Sequence, residues 1–277
     1  MATRAHDRYR FMVSEQDIAD YRRDGAVCLR GVFTDWVDTI GAGIDRNMRE
    51  PGPYASESVR SGEAGSFFDD YCNWQRIEEF RSVVERSPAA EVAARIMDSQ
   101  TAQFFHDHVL VKEPGTQKAT PWHQDTPYYF VDGSQTVSFW IPIDPVREAT
   151  LRLVAGSHRW EPLILPVRWL DESQFYPAAN HYRAVPDPDN DPTLRVLEWS
   201  MAPGDAVLFH FRTAHGARGN PASRRRRVLS LRWVGDDAHY AERPGRTSPP
   251  FPGHDMKAGQ RLRTDWFPVI YDARPSA

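Results

Sequence analysis

The sequence contains little cysteine: Cys28 and Cys72 are its two thiols in 277 residues. They lie far apart, with no CxxC or Cys/His spacing, and this excludes a disulfide framework or a structural zinc site of the usual kind. Any metal that the chain binds must therefore be held by histidine and carboxylate side chains.

Long apolar runs are also missing. No stretch approaches the roughly 20 apolar residues that cross a bilayer. The N-terminal residues MATRAHDRYRFMVSEQ do not contain the apolar core of a secretion signal. We therefore expect a cytoplasmic protein that has no membrane partner.

The charge is nearly balanced, with 34 basic and 38 acidic residues and a net charge of -4. This balance gives no support to nucleic-acid binding through the phosphate backbone. The content of 40% hydrophobic and 26% charged residues is typical of a soluble globular protein. Because no repeat, low-complexity segment or linker interrupts the chain, we expect residues 1–277 to form a single domain, and nothing in the sequence indicates its oligomeric state.

Hydrophobic periodicity divides the chain into a helical N-terminal part, about 14–100, and a β-core, about 104–234, followed by a tail over 235–277. In the first part, Ser14 is expected to cap a helix that stops at Gly25, and a strand follows. Further helices are expected after Thr34 and after Ser87. In the core, alternation predicts strands over 104–112, 136–144, 151–155, 196–201, 206–211 and 226–234.

The stretch 161–192 is rich in proline and too long for an ordinary connection in a compact domain. Long stretches of this kind are either lids or disordered. Aromatic residues such as Trp169, Phe175 and Tyr182 favour packing over another part of the protein. We therefore expect a lid.

His123 and Asp125 flank Gln124 in the sequence HQD. In an extended segment, residues two apart project to the same side, so both side chains can point at one atom. His215 follows a predicted turn and strand and can supply a third ligand. Two histidines and one carboxylate leave three positions open, as in non-haem Fe(II) oxygenases. An isolated His-Asp pair is more often a structural hydrogen bond, so the context has to decide.

Arg226 follows His215 by eleven residues, in the run of arginines 224–227. Strand alternation places Arg226, Val228, Ser230 and Arg232 on one face, which would line the interior. An arginine there suits a carboxylate held at a fixed distance from a metal. Arg224 has the same parity, but we interpret it and Arg225 as a solvated basic turn or a small nucleic-acid patch.

Four motifs in order, WHQDTPYY, VSFWIPID, VAGSH and APGDAVLFHFRTAHGARGN followed by arginine, give the chain a family resemblance. The sequence resembles the phytanoyl-CoA dioxygenase family of Fe(II)- and 2-oxoglutarate-dependent oxygenases, from the N-terminal helix and the segment DGAVCLRGVF to about residue 234, which is most of the chain. It departs from the family at Arg147–Thr150, where relatives often have an ENG-type turn. Halogenating relatives have a small residue in place of the carboxylate, so Asp125 argues against a halogenase.

The resemblance implies a mainly β fold with flanking α-helices: a double-stranded β-helix (jelly-roll, cupin-like) core with the N-terminal helices packed on one sheet. It implies that His123, Asp125 and His215 bind iron, that Arg226 binds the distal carboxylate of 2-oxoglutarate, and that Trp140 lies near this cosubstrate.

His106 and His108 share one face of the strand 104–112, and Asp107 points the other way. They are either hydrogen-bonded inside the mouth of the core or in contact with ligands. We assign His108 to the cosubstrate. His106, Arg232 and Trp233 are assigned to the substrate.

These observations predict a dioxygenase that uses Fe(II), 2-oxoglutarate and O2 to hydroxylate a small molecule, with release of succinate and CO2. A non-catalytic, metal-binding barrel that senses a small molecule is the alternative, but it gives no reason for Arg226. A nucleic-acid demethylase with the same chemistry has only the arginine run in its favour. The substrate could be a CoA thioester, an amino-acid-like compound, a phosphonate or a secondary metabolite.

Overall fold

The computed structural model describes residues 12–58, 65–169, 173–176 and 181–274. Its helices are α1 (Glu15–Asp24), α2 (Val37–Arg49), α3 (Glu78–Arg86) and α4 (Ala89–Met97). The strands are β1 (Ala26–Leu29), β2 (Ser56–Ser58), β3 (Phe67–Tyr71), β4 (Thr101–Lys112), β5 (Thr120–His123), β6 (Val131–Asp132), β7 (Thr136–Pro142), β8 (Leu151–Val154), β9 (Val196–Glu198), β10 (Ala206–Phe209), β11 (His215–Ala217), β12 (Arg226–Val234), β13 (His239–Tyr240) and β14 (Val269–Asp272).

The start of α1 shows how local sequence sets these boundaries. Ser14 and Asp17 form a reciprocal capping box, and the helix stops where Gly25 takes a left-handed conformation with φ 78°. Both ends agree with the sequence prediction. α3 was not predicted, although Phe80, Val83 and Val84 give it a buried i, i+3, i+4 stripe. Its N-cap position lacks a capping side chain, which removes the signal that marked α1.

Two antiparallel sheets form the core. The major sheet has the order β1-β10-β7-β12-β4-β3-β2, with β14 also paired to β4, and the minor sheet has the order β5-β11-β8-β9. The predicted double-stranded β-helix is confirmed, and the helices cover the outer face of the major sheet. Every residue of β4 is buried, because helices cover one face and the interior of the core lies on the other.

The N-terminal part is less purely helical than expected, because β2 and β3 extend the major sheet. The tail also returns to the core, since β14 pairs with β4 and Phe251 and Phe267 join an aromatic cluster around Phe105. No helix within the described ranges is both long and apolar enough to cross a membrane.

The strand predicted over 206–211 ends at Phe209, and this correction matters for the site. The Gly25 carbonyl accepts hydrogen bonds from the His210 backbone N–H (2.9 Å) and the Thr213 hydroxyl (2.7 Å). These bonds turn the chain out of the major sheet, so that His215 begins β11 in the opposite sheet.

Gly25→Ala is expected to destabilise the protein more than Gly253→Ala does. Both glycines have positive φ (78° and 85°), which costs an L-residue about 1–2 kcal/mol. A Cβ at Gly25 would in addition collide with His158 and Thr213, whereas one at Gly253 meets no described atom within 4 Å. We expect a further loss of about 1–3 kcal/mol for Gly25→Ala, measured by urea unfolding. Equal midpoints for the two variants would contradict this account of the turn.

Candidate metal centre

His123, Asp125 and His215 come together in the structure, and all three are buried. One ligand atom from each lies within 4.8 Å of the others. The Nε2 atoms of both histidines are 3.8 Å from Oδ1 of Asp125. This donor set of two imidazoles and one carboxylate is the one that the sequence predicts.

Strand pairing places the two histidines. His123 is the last residue of β5 and His215 the first of β11, and they lie directly opposite each other in the antiparallel register. Their ring centroids are 4.1 Å apart. Because β11 also pairs with β8, the position of His215 is fixed from both sides.

Asp125 reaches the cluster by a different route from the one expected. Its backbone is helical (φ -69°, ψ -41°) and precedes a 3-10 turn over Thr126–Tyr128, so the segment is not extended through Asp125. The backbone N–H groups of Asp125 and Thr126 donate to the Phe211 carbonyl at 2.8 and 3.0 Å. A tight turn, rather than strand alternation, therefore aims the carboxylate.

The tautomers of both histidines suit metal binding. Nδ1 of His123 lies 2.8 Å from the Pro121 carbonyl, and Nδ1 of His215 lies 2.9 Å from the Thr213 carbonyl. A carbonyl only accepts, so each Nδ1 carries the proton and each Nε2 keeps a free lone pair. The Ser138 hydroxyl donates to Oδ2 of Asp125 (2.8 Å), which leaves Oδ1 facing the imidazoles. The three residues thus fit a divalent iron ion.

Charge in the cluster favours the metal-binding protonation states. Burial lowers the pKa of His215, and burial together with His215 lowers the pKa of His123 to about 3. Burial alone would raise the pKa of Asp125, but Arg232 and the two histidines outweigh it and lower that pKa to about 2. Nε of Arg232 lies 3.7 Å from Oδ2 of Asp125. Near neutral pH, both imidazoles are therefore neutral and the Asp125 carboxyl is ionised, which are the states that bind a metal.

Arg226 lies inside the core on the same side of β12 as Arg232, whereas Arg224 and Arg225 are exposed. Its Nη1 donates to the Ala149 carbonyl (3.0 Å), and its guanidinium carbon is 5.4 Å from the Trp140 ring centroid. Nε is buried and has no hydrogen-bond partner among the described residues. Burial lowers the pKa of Arg226 to about 9. A buried cation with an unused donor fits an anionic ligand.

Lys112 is a second buried basic residue, and the sequence analysis missed it. It lies directly opposite Arg226 in the β4–β12 register and is fully buried. Its ammonium donates to the Arg218 carbonyl (2.7 Å) and lies 5.2 Å from the Phe67 ring centroid. Burial, with a smaller contribution from Arg226, lowers the pKa of Lys112 to about 6. The alternation that puts His106 and His108 on the inner face extends to Lys112 and could have identified it.

A cavity of about 480 Å³ opens beside the cluster and is lined by His123 and Asp125. The predicted face of β4 is correct: Asp107 points outward and accepts from the Asn73 and Trp74 backbone N–H groups. The inner side of β4 and β12 and the surrounding aromatic residues complete the wall, with His106, His108, Arg232, Tyr129, Trp169 and Phe175.

Trp233 does not reach this cavity. It is fully buried on the helix side of the major sheet, with its ring centroid 4.8 Å from that of Phe104. Neighbouring residues of a strand face opposite sides of the sheet, so Trp233 points away from Arg232. Its predicted role as a substrate contact is wrong. Trp233 is a core residue.

The described part of the stretch 161–192 contributes Val167, Arg168, Trp169 and Phe175 to the lining of the cavity. The Trp169 ring centroid is 4.9 Å from that of His123 and 6.0 Å from that of His108. Tyr128 ties this stretch down, because its hydroxyl donates to the Val167 carbonyl (2.7 Å) and accepts from the Val167 backbone N–H (2.9 Å). Trp169 therefore packs over the cluster of His123, Asp125 and His215.

Comparison with known proteins agrees with this architecture. The sequence model of the family described as phytanoyl-CoA dioxygenase matches residues 21–228. The carbocyclase SnoK from nogalamycin biosynthesis shares 23% identity at a TM-score of 0.70, over 93% of this chain and 96% of its own. The epimerase SnoN from nogalamycin biosynthesis shares 21% identity at a TM-score of 0.71, over 92% and 98%. EctD from S. alaskensis shares 16% identity at a TM-score of 0.68, over 95% and 89%.

Lys112→Met is expected to remove a pH dependence of folding stability. The folded-state pKa of Lys112, about 6, lies below its ordinary value of 10.5. Between these values the unfolded chain binds one more proton, so stability rises with pH by up to ~1.4 kcal/mol per unit. Urea unfolding at pH 7 and pH 9 should show this slope in the wild type and in the surface control Lys257→Met, and lose it in Lys112→Met. An unchanged slope would mean that folded Lys112 stays charged.

Proposed function

We propose, on the premise that this chain belongs to the phytanoyl-CoA dioxygenase family, that His123, Asp125 and His215 bind iron(II) and that Arg226 binds 2-oxoglutarate. As a member of this family, the chain is a non-haem iron, 2-oxoglutarate-dependent oxygenase. The single observation that carries the assignment of residues is the buried cluster of two neutral imidazoles and one carboxylate.

The proposed iron site uses Nε2 of each histidine and Oδ1 of Asp125. Three ligands on one side leave positions open for the cosubstrate and dioxygen. When bound, iron(II), 2-oxoglutarate and dioxygen supply the oxidation itself, and 2-oxoglutarate leaves as succinate and CO2. The protein holds the ligands deprotonated, and Arg232 and Ser138 hold the carboxylate in place.

We assign the distal carboxylate of 2-oxoglutarate to Arg226, whose guanidinium lies over Trp140. Lys112 lies opposite in the register as a second buried basic group, and an anion bound between the two would favour its protonated form. His108 faces the cavity beside the cluster and is proposed to contact the cosubstrate. A non-catalytic metal-binding barrel would need no buried, partly unpaired arginine, so Arg226 favours the enzyme over this alternative.

We further propose that residues 1–277 work as one oxygenase domain in which 161–192 form a lid. Trp169 and the anchored Val167 support this, because they cover the metal cluster and exclude water from it. A cytoplasmic location belongs to the same proposal and fits the two free cysteines.

The substrate is proposed to be a small molecule that the enzyme hydroxylates. A structure of SnoN contains Fe3+, alpha ketoglutarate and a nogalamycin compound, and one of EctD contains 2-oxoglutarate and 5-hydroxyectoine. The aromatic lining of the cavity suits a ring-containing secondary metabolite better than a small polar osmolyte.

Replacing His123 or Asp125 with alanine should abolish binding of one Fe(II) per chain and the slow conversion of 2-oxoglutarate to succinate without substrate. A direct ligand is worth more than an outer neighbour, whose loss costs about 10- to 100-fold in affinity. His239→Ala, a half-buried histidine outside the cavity, is the control. Anaerobic iron titration and succinate assays provide the measurements. Full iron affinity in the Ala variants would refute the ligand assignment.

Arg226→Ala should weaken 2-oxoglutarate binding by about 2–4 kcal/mol, the range for truncating one partner of a buried charged pair. Arg225→Ala is the matched control, because Arg225 forms an exposed ion pair with Glu113 (2.7 Å). Calorimetric titration of the iron-loaded protein measures both. If Arg225→Ala had the larger effect, the cosubstrate arginine would be misassigned.

A further inference from the structure

One wall of the cavity has three buried polar atoms without a hydrogen-bond partner among the described residues: Nε2 of His106, Nε2 of His108 and Nη1 of Arg232. Nε2 of His108 lies 3.5 Å from Oδ2 of Asp69, whereas no charged partner in the described part of the chain is recorded at this range for the other two atoms. His106 and Arg232 are 2% and 4% exposed. They lie directly opposite each other in the β4–β12 register, and both line the cavity that contains Asp125. Buried polar atoms are nearly always paired, so unpaired atoms on two facing residues of a ligand cavity point to a group that is supplied from outside the chain.

The unpaired atoms of His106 and Arg232 have opposite hydrogen-bonding character. Nδ1 of His106 lies 3.1 Å from the Asp107 backbone carbonyl, which only accepts, so Nδ1 carries the proton and Nε2 is an acceptor. Nη1 of Arg232 can only donate, and its Nε already donates to the Tyr129 hydroxyl (3.1 Å). His106 and Arg232 therefore present one acceptor and one donor from facing positions of β4 and β12.

A hydroxyl group satisfies this pair, because it donates to Nε2 of His106 and accepts from Nη1 of Arg232. A carboxylate would accept from Arg232, but its oxygen lone pairs would be repelled by the lone pair on Nε2 of His106. An ammonium would satisfy His106 but would be repelled by Arg232. Of these three groups, the hydroxyl alone uses both atoms.

Aromatic side chains surround the pair. The His106 ring meets the Tyr129 ring edge-on at 5.2 Å, and Tyr71, 6.5 Å from His106, is stacked on Tyr54 at 4.8 Å. Trp169 and Phe175 close the same cavity. Its volume of about 480 Å³ lies in the range of small-molecule sites and leaves room for a molecule of two or more rings.

We propose that His106 and Arg232 form a hydroxyl-recognition pair that selects a ring-containing alcohol or phenol as the substrate of this oxygenase. The proposal rests on the proposed function in one respect, that the cavity beside the metal cluster is the substrate site. Both residues position the substrate and take no part in the oxidation.

The test measures binding rather than turnover. Calorimetric titration of the anaerobic protein loaded with Fe(II) and 2-oxoglutarate, and of the metal-free protein, would use four probes: 2-naphthol, decahydro-2-naphthol, 2-methoxynaphthalene and 2-naphthoate. At least one hydroxyl probe should bind about tenfold or more tightly than the methyl ether and the carboxylate, because each leaves a buried polar atom unpaired at a cost of about 1–3 kcal/mol. The stronger of the two hydroxyl probes distinguishes a phenol from an alcohol.

Three variants locate the preference. His106→Leu should reduce the ratio of hydroxyl to ether affinity to within about twofold, since its acceptor is gone. His106→Gln, which can place an amide oxygen near the former Nε2, should restore part of the ratio. His239→Leu makes the same histidine-to-leucine change at a half-buried histidine outside the cavity lining and should leave the ratio unchanged.

Equal affinity for 2-naphthol and 2-methoxynaphthalene in the wild type would overturn the proposal and assign the pair to water alone. Tighter binding of 2-naphthoate would make the wall an anion site. Failure of all four probes to bind would exclude a ring-bearing ligand. If the probes behave as expected while the protein forms no succinate, the proposed function fails and the recognition pair stands.

Discussion

The pairing of β5 with β11 is the constraint on which the site depends. It sets His123 against His215, and both histidines are then oriented by backbone carbonyls two residues earlier, at Pro121 and Thr213. The turn before β11 is fixed by the Gly25 carbonyl, and Asp125 is fixed by the Phe211 carbonyl of that same turn. A site built on paired strands and backbone bonds is held more rigidly than one built on a free loop.

Charged groups are distributed unevenly around these paired strands. At the cluster, the Asp125 carboxylate is balanced by Arg232, so this end is close to neutral before a metal binds. Deeper in the core, Arg226 and Lys112 face each other without a carboxylate recorded beside either in the described part of the chain. Burial disfavours the protonated forms of both groups, and the anionic cosubstrate that we propose to bind here would favour them. Under this proposal, folding stability and cosubstrate affinity are linked through the same two residues.

The aromatic residues separate these charges from solvent. Trp169, in the stretch 161–192, packs against His123, and Tyr128 holds the backbone of this stretch at Val167. Tyr129 packs edge-on against His106 and accepts from Arg232, so one residue connects the ring-lined wall to the polar pair. The lining of the cavity is thus mainly aromatic, with polar atoms at a few defined positions, as in most small-molecule sites.

The sequence by itself predicted the β-rich core, the capped helix α1, most core strands, the candidate set His123, Asp125 and His215, and the inward face of Arg226, because periodicity, capping and strand alternation are local properties. The double-stranded β-helix was implied by the family resemblance. Tertiary structure decided the rest. Asp125 is aimed by a turn, β11 begins only after the chain crosses between sheets, and Trp233 belongs to the helix side. The environments of Lys112, His106 and Arg232 depend on the residues that face them across the β4–β12 register. Such partners are distant in sequence, and only the folded chain shows which polar atoms remain unpaired.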